Sequence, residues 1–148
     1  MYKKILIATD GSDQAESAVE HGLHLAKSLG AKVVFVTVTE PWSPLDVAAE
    51  AEQGNFDAIQ VYEEAMALSA KAILKRAEQL AASISVGAEA LHVKDRQPAE
   101  GILEIAELEN CELIIMASHG RRGIQKMLLG SQASEVISLS TRPVLVVR

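Results

Sequence analysis

Cysteine is nearly absent from this 148-residue chain. Cys111 stands alone, which excludes an intrachain disulfide and leaves no second thiol at a metal-ligand spacing. Placed between Asn110 and Glu112, ahead of an apolar run, it reads as a thiol at a helix–strand junction. Aromatic residues make up only 3% of the chain, so few ring faces exist on which bases could stack. Cations are outnumbered, fourteen Lys and Arg against twenty Asp and Glu, and the net charge of −6 disfavours binding to a phosphate backbone. No apolar run approaches the roughly 20 residues of a membrane-spanning helix, and Met1–Lys4 runs straight into Ile5–Ala8, too short for a signal-peptide core. The expectation is one domain over 1–148 in a reducing, cytoplasmic setting, with neither nucleic acid nor membrane as partner.

Several familiar chemistries are missing as well. The chain has no G-x-x-x-x-G-K-[ST] phosphate loop, no G-x-G-x-x-G after its first strand and no G-x-S-x-G nucleophile elbow. Its four histidines show no H-E-x-x-H spacing, and His21 and His24, three apart on one helix, read as bystanders rather than as a metal pair. No nucleophile can be paired with a base, so no catalytic residue is assigned.

What is present is an alternation of short β-branched runs and longer segments of helical period. Strands are expected at Lys4–Thr9, Lys32–Thr39, Glu89–Val93, Leu113–Ala117 and Val144–Val147. All but the third are nearly continuous in apolar residues, as strands covered on both faces are, which favours a parallel sheet. Between them, Ser12–Leu29 carries Ala15, Ala18, Val19, Gly22, Leu23 and Ala26 on one helical face and stops at Gly30. Ile59–Ile84, Pro98–Glu109 and Ser131–Leu139 supply three further helices, the second of these opening on proline. For the long helix the buried side is expected to hold Met66, Ile73, Leu74, Ala77, Leu80, Ala81 and Ile84. The order β-α-β-α-β-α-β-α-β with right-handed crossovers gives an α/β fold, a five-stranded parallel sheet doubly wound with four helices. Such sheets bind ligands beyond the carboxyl ends of the strands, after strands one and four. Glu40–Asp57, with two prolines and a Gly-Asn pair, reads as a long connector, either a surface excursion or a lid.

The segment from Met116 to Ser131 starts at a strand's carboxyl end and finishes at a helix start. Glycines let main-chain N–H groups crowd around a phosphate, and a helix N-terminus with Ser131 at its cap offers further donors. Arg121, Arg122 and Lys126 add three cations in an acidic chain. The same residues also suit a plain glycine-rich turn with a capping serine, and the pattern alone leaves both readings open. Asp10–Gly11–Ser12 ends strand one beside this loop. Asp10 fits a turn former, or a group that accepts from a ribose or holds magnesium against phosphates.

Asp10–Gly11–Ser12, His119–Gly120, Gly130–Ser131 and the terminal Arg142–Val147 together resemble the universal stress protein family over residues 4 to 148. The ATP-binding branch carries G-x2-G-x9-G-[ST], which falls here on Ala117, Gly120, Gly130 and Ser131, with alanine at the first position. The resemblance implies a Rossmann-like strand order 3-2-1-4-5 and a regulatory stress-response domain that binds ATP, with Mg at Asp10. Thr9, Asp10 and the main chain of Val38 would surround adenine and ribose. Met116, Ala117, His119 and Gly120 would line the ribose and α-phosphate, and Gly130, Ser131, Gln132 and Ala133 the outer phosphates, with Arg121 and Arg122 as phosphate partners. Activity would be at most slow ATP hydrolysis; adenylation is disfavoured, because the S-G-G-x-D-S of related adenylating enzymes is replaced by Thr9–Ser12. A homodimer through Val144–Val147 and a regulatory protein partner are also implied. The alternative is a nucleotide-free dimeric interaction module of the same fold.

Overall fold

The computed structural model describes residues 1–120 and 128–148. The strands are β1 (Lys4–Ala8), β2 (Lys32–Thr39), β3 (Ala88–Lys94), β4 (Leu113–Ala117) and β5 (Val144–Val147). They pair in parallel in the order β3-β2-β1-β4-β5, as expected. In register, Ile5–Ile7 lie against Val33–Phe35 on one side and Leu113–Ile115 on the other. The central strands are buried on both faces, which is why their sequences do not alternate. β3 and β5 form the edges, and their half-buried patterns account for the weaker apolar signal of β3.

Because successive side chains point to opposite faces, each central strand feeds two cores. Ile5, Ile7, Val33, Phe35, Leu113 and Ile115 pack with α1 (Asp13–Leu29) and α3 (Ala58–Ser83). Leu6, Val34, Val36, Ile114 and Met116 pack on the other face with α4 (Pro98–Leu108) and α5 (Ser131–Leu139). The helix ends follow the sequence signals. Ser12 accepts from the Ala15 amide at 3.2 Å to start α1, and Gly30, at φ 66°, closes it in the left-handed conformation. α1 rides close to the sheet at Gly22, where an added β-carbon would lie 2.4 Å from Ile7 Cδ1 and 3.3 Å from Ile115 Cδ1.

Two expectations are corrected. The connector after β2 contains a fifth helix among the described residues, α2 (Pro44–Glu52). Its prolines read as breaks, yet Ser43 caps the Asp46 amide and Pro44 sits in the first turn, where a missing N–H costs nothing. Gly54, at φ 84°, then turns the chain into α3. On α3 only Ala70, Leu74, Ala77 and Ala81 are buried; Met66, Ile73, Leu80 and Ile84 are half-buried. The helix is longer than the sheet it covers, so its first three turns carry no core residue.

Cys111 occupies the junction between α4 and β4 and is fully buried; Asn110, at φ 52°, turns the chain there. Burial pushes its thiol up to about 11 from an ordinary 9.0. Lys4, hydrogen-bonded to the Glu109 carboxylate, is also raised. Both groups therefore hold their protons longer in the folded chain than in the unfolded one. Their contribution is complete below the unfolded values and is lost as pH rises through the folded ones. Urea midpoints measured from pH 8 to 11 are expected to fall across that window, and Cys111→Ala to flatten the decline. In the upper core, Gly22→Val is expected to lower the thermal midpoint by roughly 3–10 °C through overpacking. Gly87→Ala, where an added β-carbon meets nothing within 4 Å, should not lower it.

Candidate functional site

The carboxyl end of the sheet brings together the two motifs that the sequence keeps more than a hundred residues apart. β1 and β4 are neighbours, so Thr9–Ser12 and Ser118–Gly120 emerge side by side. The approach is close: a β-carbon on Gly120 would lie 2.7 Å from Asp10 Oδ2. Asp10 is held in place by its own turn, its Oδ1 accepting from the Ser12 amide at 3.0 Å while Thr9 Oγ1 accepts from the Gly11 amide at 3.2 Å. Gly11 has φ 77°, the left-handed conformation that a residue with a β-carbon resists. The turn-former reading of Asp10 is thus realised, and its second oxygen is the atom set against Gly120.

α5 starts beside the same point. The Gly130 amide donates to the Ser118 carbonyl at 2.8 Å, and the Ser118 amide donates to the Val147 carbonyl at 2.8 Å. A β-carbon on Gly130 would press on that carbonyl at 3.0 Å and on His119 Cα at 3.5 Å. Glycine is needed here for proximity, since φ is an ordinary −70°. Gly130, rather than Ser131, is the N-cap, so α5 has no side-chain cap hydrogen bond and Ser131 is its first helical residue. By helix geometry the N–H groups of Ser131, Gln132 and Ala133 have no acceptor within the helix, and the helix dipole gives that end partial positive charge.

The structure sorts the remaining sequence-predicted residues by which part of each is available. Ala117 packs its methyl group into the core shared with α1 and α3, and it is not among the described residues of positive φ. Alanine at the first motif position therefore fits without intruding on the hollow. Met116 and Ala133 bury their side chains in the opposite core. Gln132 spends its side-chain oxygen on the Ala99 amide at 2.9 Å, fixing the start of α4. Only the main chain of these residues can face a ligand. The Gly130 amide, expected to point at phosphate, is instead spent on closing the loop. Val38 lies beyond the last β1–β2 pair, Ala8 with Val36, because β2 runs on to Thr39 while β1 stops. Arg121 and Arg122 lie outside the described residues.

His119 is buried, with Nδ1 sharing a hydrogen bond with Ser118 Oγ at 3.1 Å. Its Nε2 is the buried side-chain nitrogen or oxygen left without a hydrogen-bond partner among the described residues. A buried polar atom in that condition costs about 1–3 kcal/mol, so a ligand acceptor or donor that met it would recover the loss. Ser118, which the motif leaves as an unspecified position, was not anticipated. Its carbonyl, amide and hydroxyl organise the whole turn, and only its place between the motif positions Ala117 and Gly120 could have signalled this. Further along the sheet edge, Thr39 Oγ1 shares a 2.7 Å hydrogen bond with His92 Nε2. Burial, with a smaller contribution from Lys94, keeps the His92 imidazole below its ordinary value.

The carboxyl end of β1 and β4 thus combines, among the described residues, a carboxylate, a helix start without a side-chain cap bond, an imidazole nitrogen without a hydrogen-bond partner and two glycines whose β-carbons would crowd Asp10 Oδ2 and the Ser118 carbonyl. Among the described residues no group of three or more His, Cys, Asp or Glu could form a metal cage, and no helix is long and apolar enough to cross a membrane.

Comparison with known proteins agrees with the fold. The sequence model of the universal stress protein family matches residues 1–148. The universal stress protein YxiE of Bacillus subtilis is 34% identical, with all of both chains covered. The solved structure of MJ0577 from Methanocaldococcus jannaschii is 31% identical and superposes with a TM-score of 0.75, covering 99% of this chain and 96% of that one. An Archaeoglobus fulgidus universal stress protein in complex with dAMP shares the fold at 19% identity and a TM-score of 0.70, covering 99% and 98%. The chain belongs to the universal stress protein family.

Proposed function

We propose that this protein binds ATP, with magnesium, in the hollow between Asp10, Gly120 and the start of α5, and acts as a small cytoplasmic regulatory domain of the stress response. The observation that carries the reading is the contact between Gly120 and Asp10 Oδ2 beside an uncovered helix N-terminus. A carboxylate suits a ribose or a metal; a helix start a few residues away suits phosphate. A nucleotide presents both, and dAMP in the A. fulgidus relative is a ligand of that kind. Thr9, Asp10 and the Val38 main chain would take the nucleoside. Met116, Ala117 and Gly120 would contribute main chain around the ribose and first phosphate, with His119 Nε2 as a polar partner there. Ser131, Gln132 and Ala133 would give N–H groups to the outer phosphates, and Arg121 and Arg122 lie in the intervening segment. Magnesium keeps most of its shell as water and phosphate oxygen, so one carboxylate from Asp10 suffices. The activity proposed is nucleotide binding.

A second reading rests on the Gly130 amide. Because it is bonded to Ser118, the turn is complete without a ligand, as a nucleotide-free dimeric module of the same fold would require. In either reading β5, an edge strand with Leu145 exposed, is the surface through which two copies would pair. Light scattering at micromolar protein is expected to give the mass of two chains.

The two readings part on ligand-linked stability. Millimolar Mg-ATP is expected to raise the thermal midpoint by roughly 5–10 °C if it saturates the site about a hundredfold. Gly130→Leu should abolish that shift, while under the second reading it would only lower the midpoint. Asp10→Asn keeps an oxygen for the Ser12 amide but removes the charge, and calorimetry should show ATP affinity reduced about tenfold with its magnesium dependence lost. No shift with Mg-ATP in the parent protein would sink the proposal.

A further inference from the structure

The helical excursion after β2 is built for something other than the core. Residues 41–68, comprising α2, its turn and the first three turns of α3, hold no buried residue. The two ends of this arm are tied together: Trp42 stacks on Tyr62, with ring centroids 5.3 Å apart and 18° between planes, and Tyr62 donates to the Glu40 carbonyl at the end of β2 at 2.9 Å. An arm this well anchored is not a loose connector. Yet it exposes large apolar side chains, Leu45 and Phe56 at 83% each, Leu68 at 71% and Val61 at 57%. Val61, Ala65, Leu68 and Ala72 follow the i, i+4, i+7, i+11 spacing of one helical stripe, and all four face solvent. Leu68 and Val61 belong in a groove, and nothing in the described fold supplies one.

The charge of the arm says what would. It contains Asp46, Glu50, Glu52, Asp57, Glu63 and Glu64 and not one Lys, Arg or His. The rest of the chain carries fourteen acidic and fourteen basic side chains, so the whole net charge of −6 sits on these residues. Among the described residues no ion pair reaches any of the six. The first cations, Lys71, Lys75 and Arg76, begin three residues beyond Leu68, at the base of the stripe.

We propose that this acidic, apolar arm is a docking surface for a basic amphipathic helix of a partner protein, its apolar residues covering Val61, Ala65 and Leu68 and its cations meeting the six carboxylates. Complementary potential selects the partner and apolar burial holds it, the division of labour of helix-in-groove recognition. A second copy is excluded as occupant of this face, because two arms would oppose twelve carboxylates. Nucleic acid and anionic lipid are excluded by the same sign of charge. The inference does not depend on the nucleotide site.

The test uses the full chain and a synthetic eighteen-residue Leu/Lys peptide with its leucines on one helical face. The probe is read by calorimetry and by the fluorescence of Trp42, the one tryptophan, at the arm's base. Binding in the micromolar range is expected, weakened about tenfold when the same residues are scrambled to remove the apolar face. Val61→Ser with Leu68→Ser, and separately Glu63→Lys with Glu64→Lys, should each weaken it about tenfold with the thermal midpoint and ATP response unchanged. Equal affinity for the scrambled peptide, or no effect of either double variant, would overturn the proposal. So would adsorption to phosphatidylglycerol vesicles through these residues, or a dimer mass that the Val61/Leu68 variant abolishes.

Discussion

The site depends on one short main-chain relay at the carboxyl end of the sheet. Val147 accepts from the Ser118 amide, and the Ser118 carbonyl accepts from the Gly130 amide. Through these two bonds the last strand, the end of β4 and the start of α5 are locked to one another. The arrangement favours glycine at position 130, because an added β-carbon would lie 3.0 Å from the accepting carbonyl. It also leaves α5 without a side-chain cap, so the relay that completes the fold is what exposes an anion-seeking helix end.

Much of this was legible in the sequence because the signals involved are local. Parallel burial writes itself as unbroken β-branched runs, and the α1 boundaries follow from Ser12 and Gly30, whose roles need only their immediate neighbours. The adjacency of Asp10 and Gly120 was legible at one remove, since it follows from the sheet order once a doubly wound topology is granted. What could not be read is where each side chain would be spent. Gln132 looks equally suited to a phosphate or to the Ala99 amide, and only the packing of α4 against α5 decides between them. Ala117 looks like an intrusion until its strand register turns the methyl group into the core. α2 was hidden by its own start signal, a proline that breaks a helix anywhere except in the first turn.

The molecule also separates its two surfaces by charge and by rigidity. At the sheet end the His119 Nε2 is the buried side-chain polar atom left without a partner among the described residues. The arm carries the entire net charge and none of the core. α3 joins them, since its later turns pack on the sheet through Ala70, Leu74 and Ala77 while its first turns support Tyr62 and the exposed stripe. A change at the proposed nucleotide site that moved α3 would reach the arm along a continuous helix.

The central claim concerns particular main-chain amides, and amide-resolved NMR reads them one by one. Titrating labelled protein with Mg-ATP is predicted to shift the amides of Gly120, Ser131, Gln132 and Ala133, with adenosine alone leaving the three on α5 in place. If millimolar ATP left those three unmoved, or moved only residues on the α1–α3 face, the hollow at the end of β1 and β4 would not be where the phosphates bind.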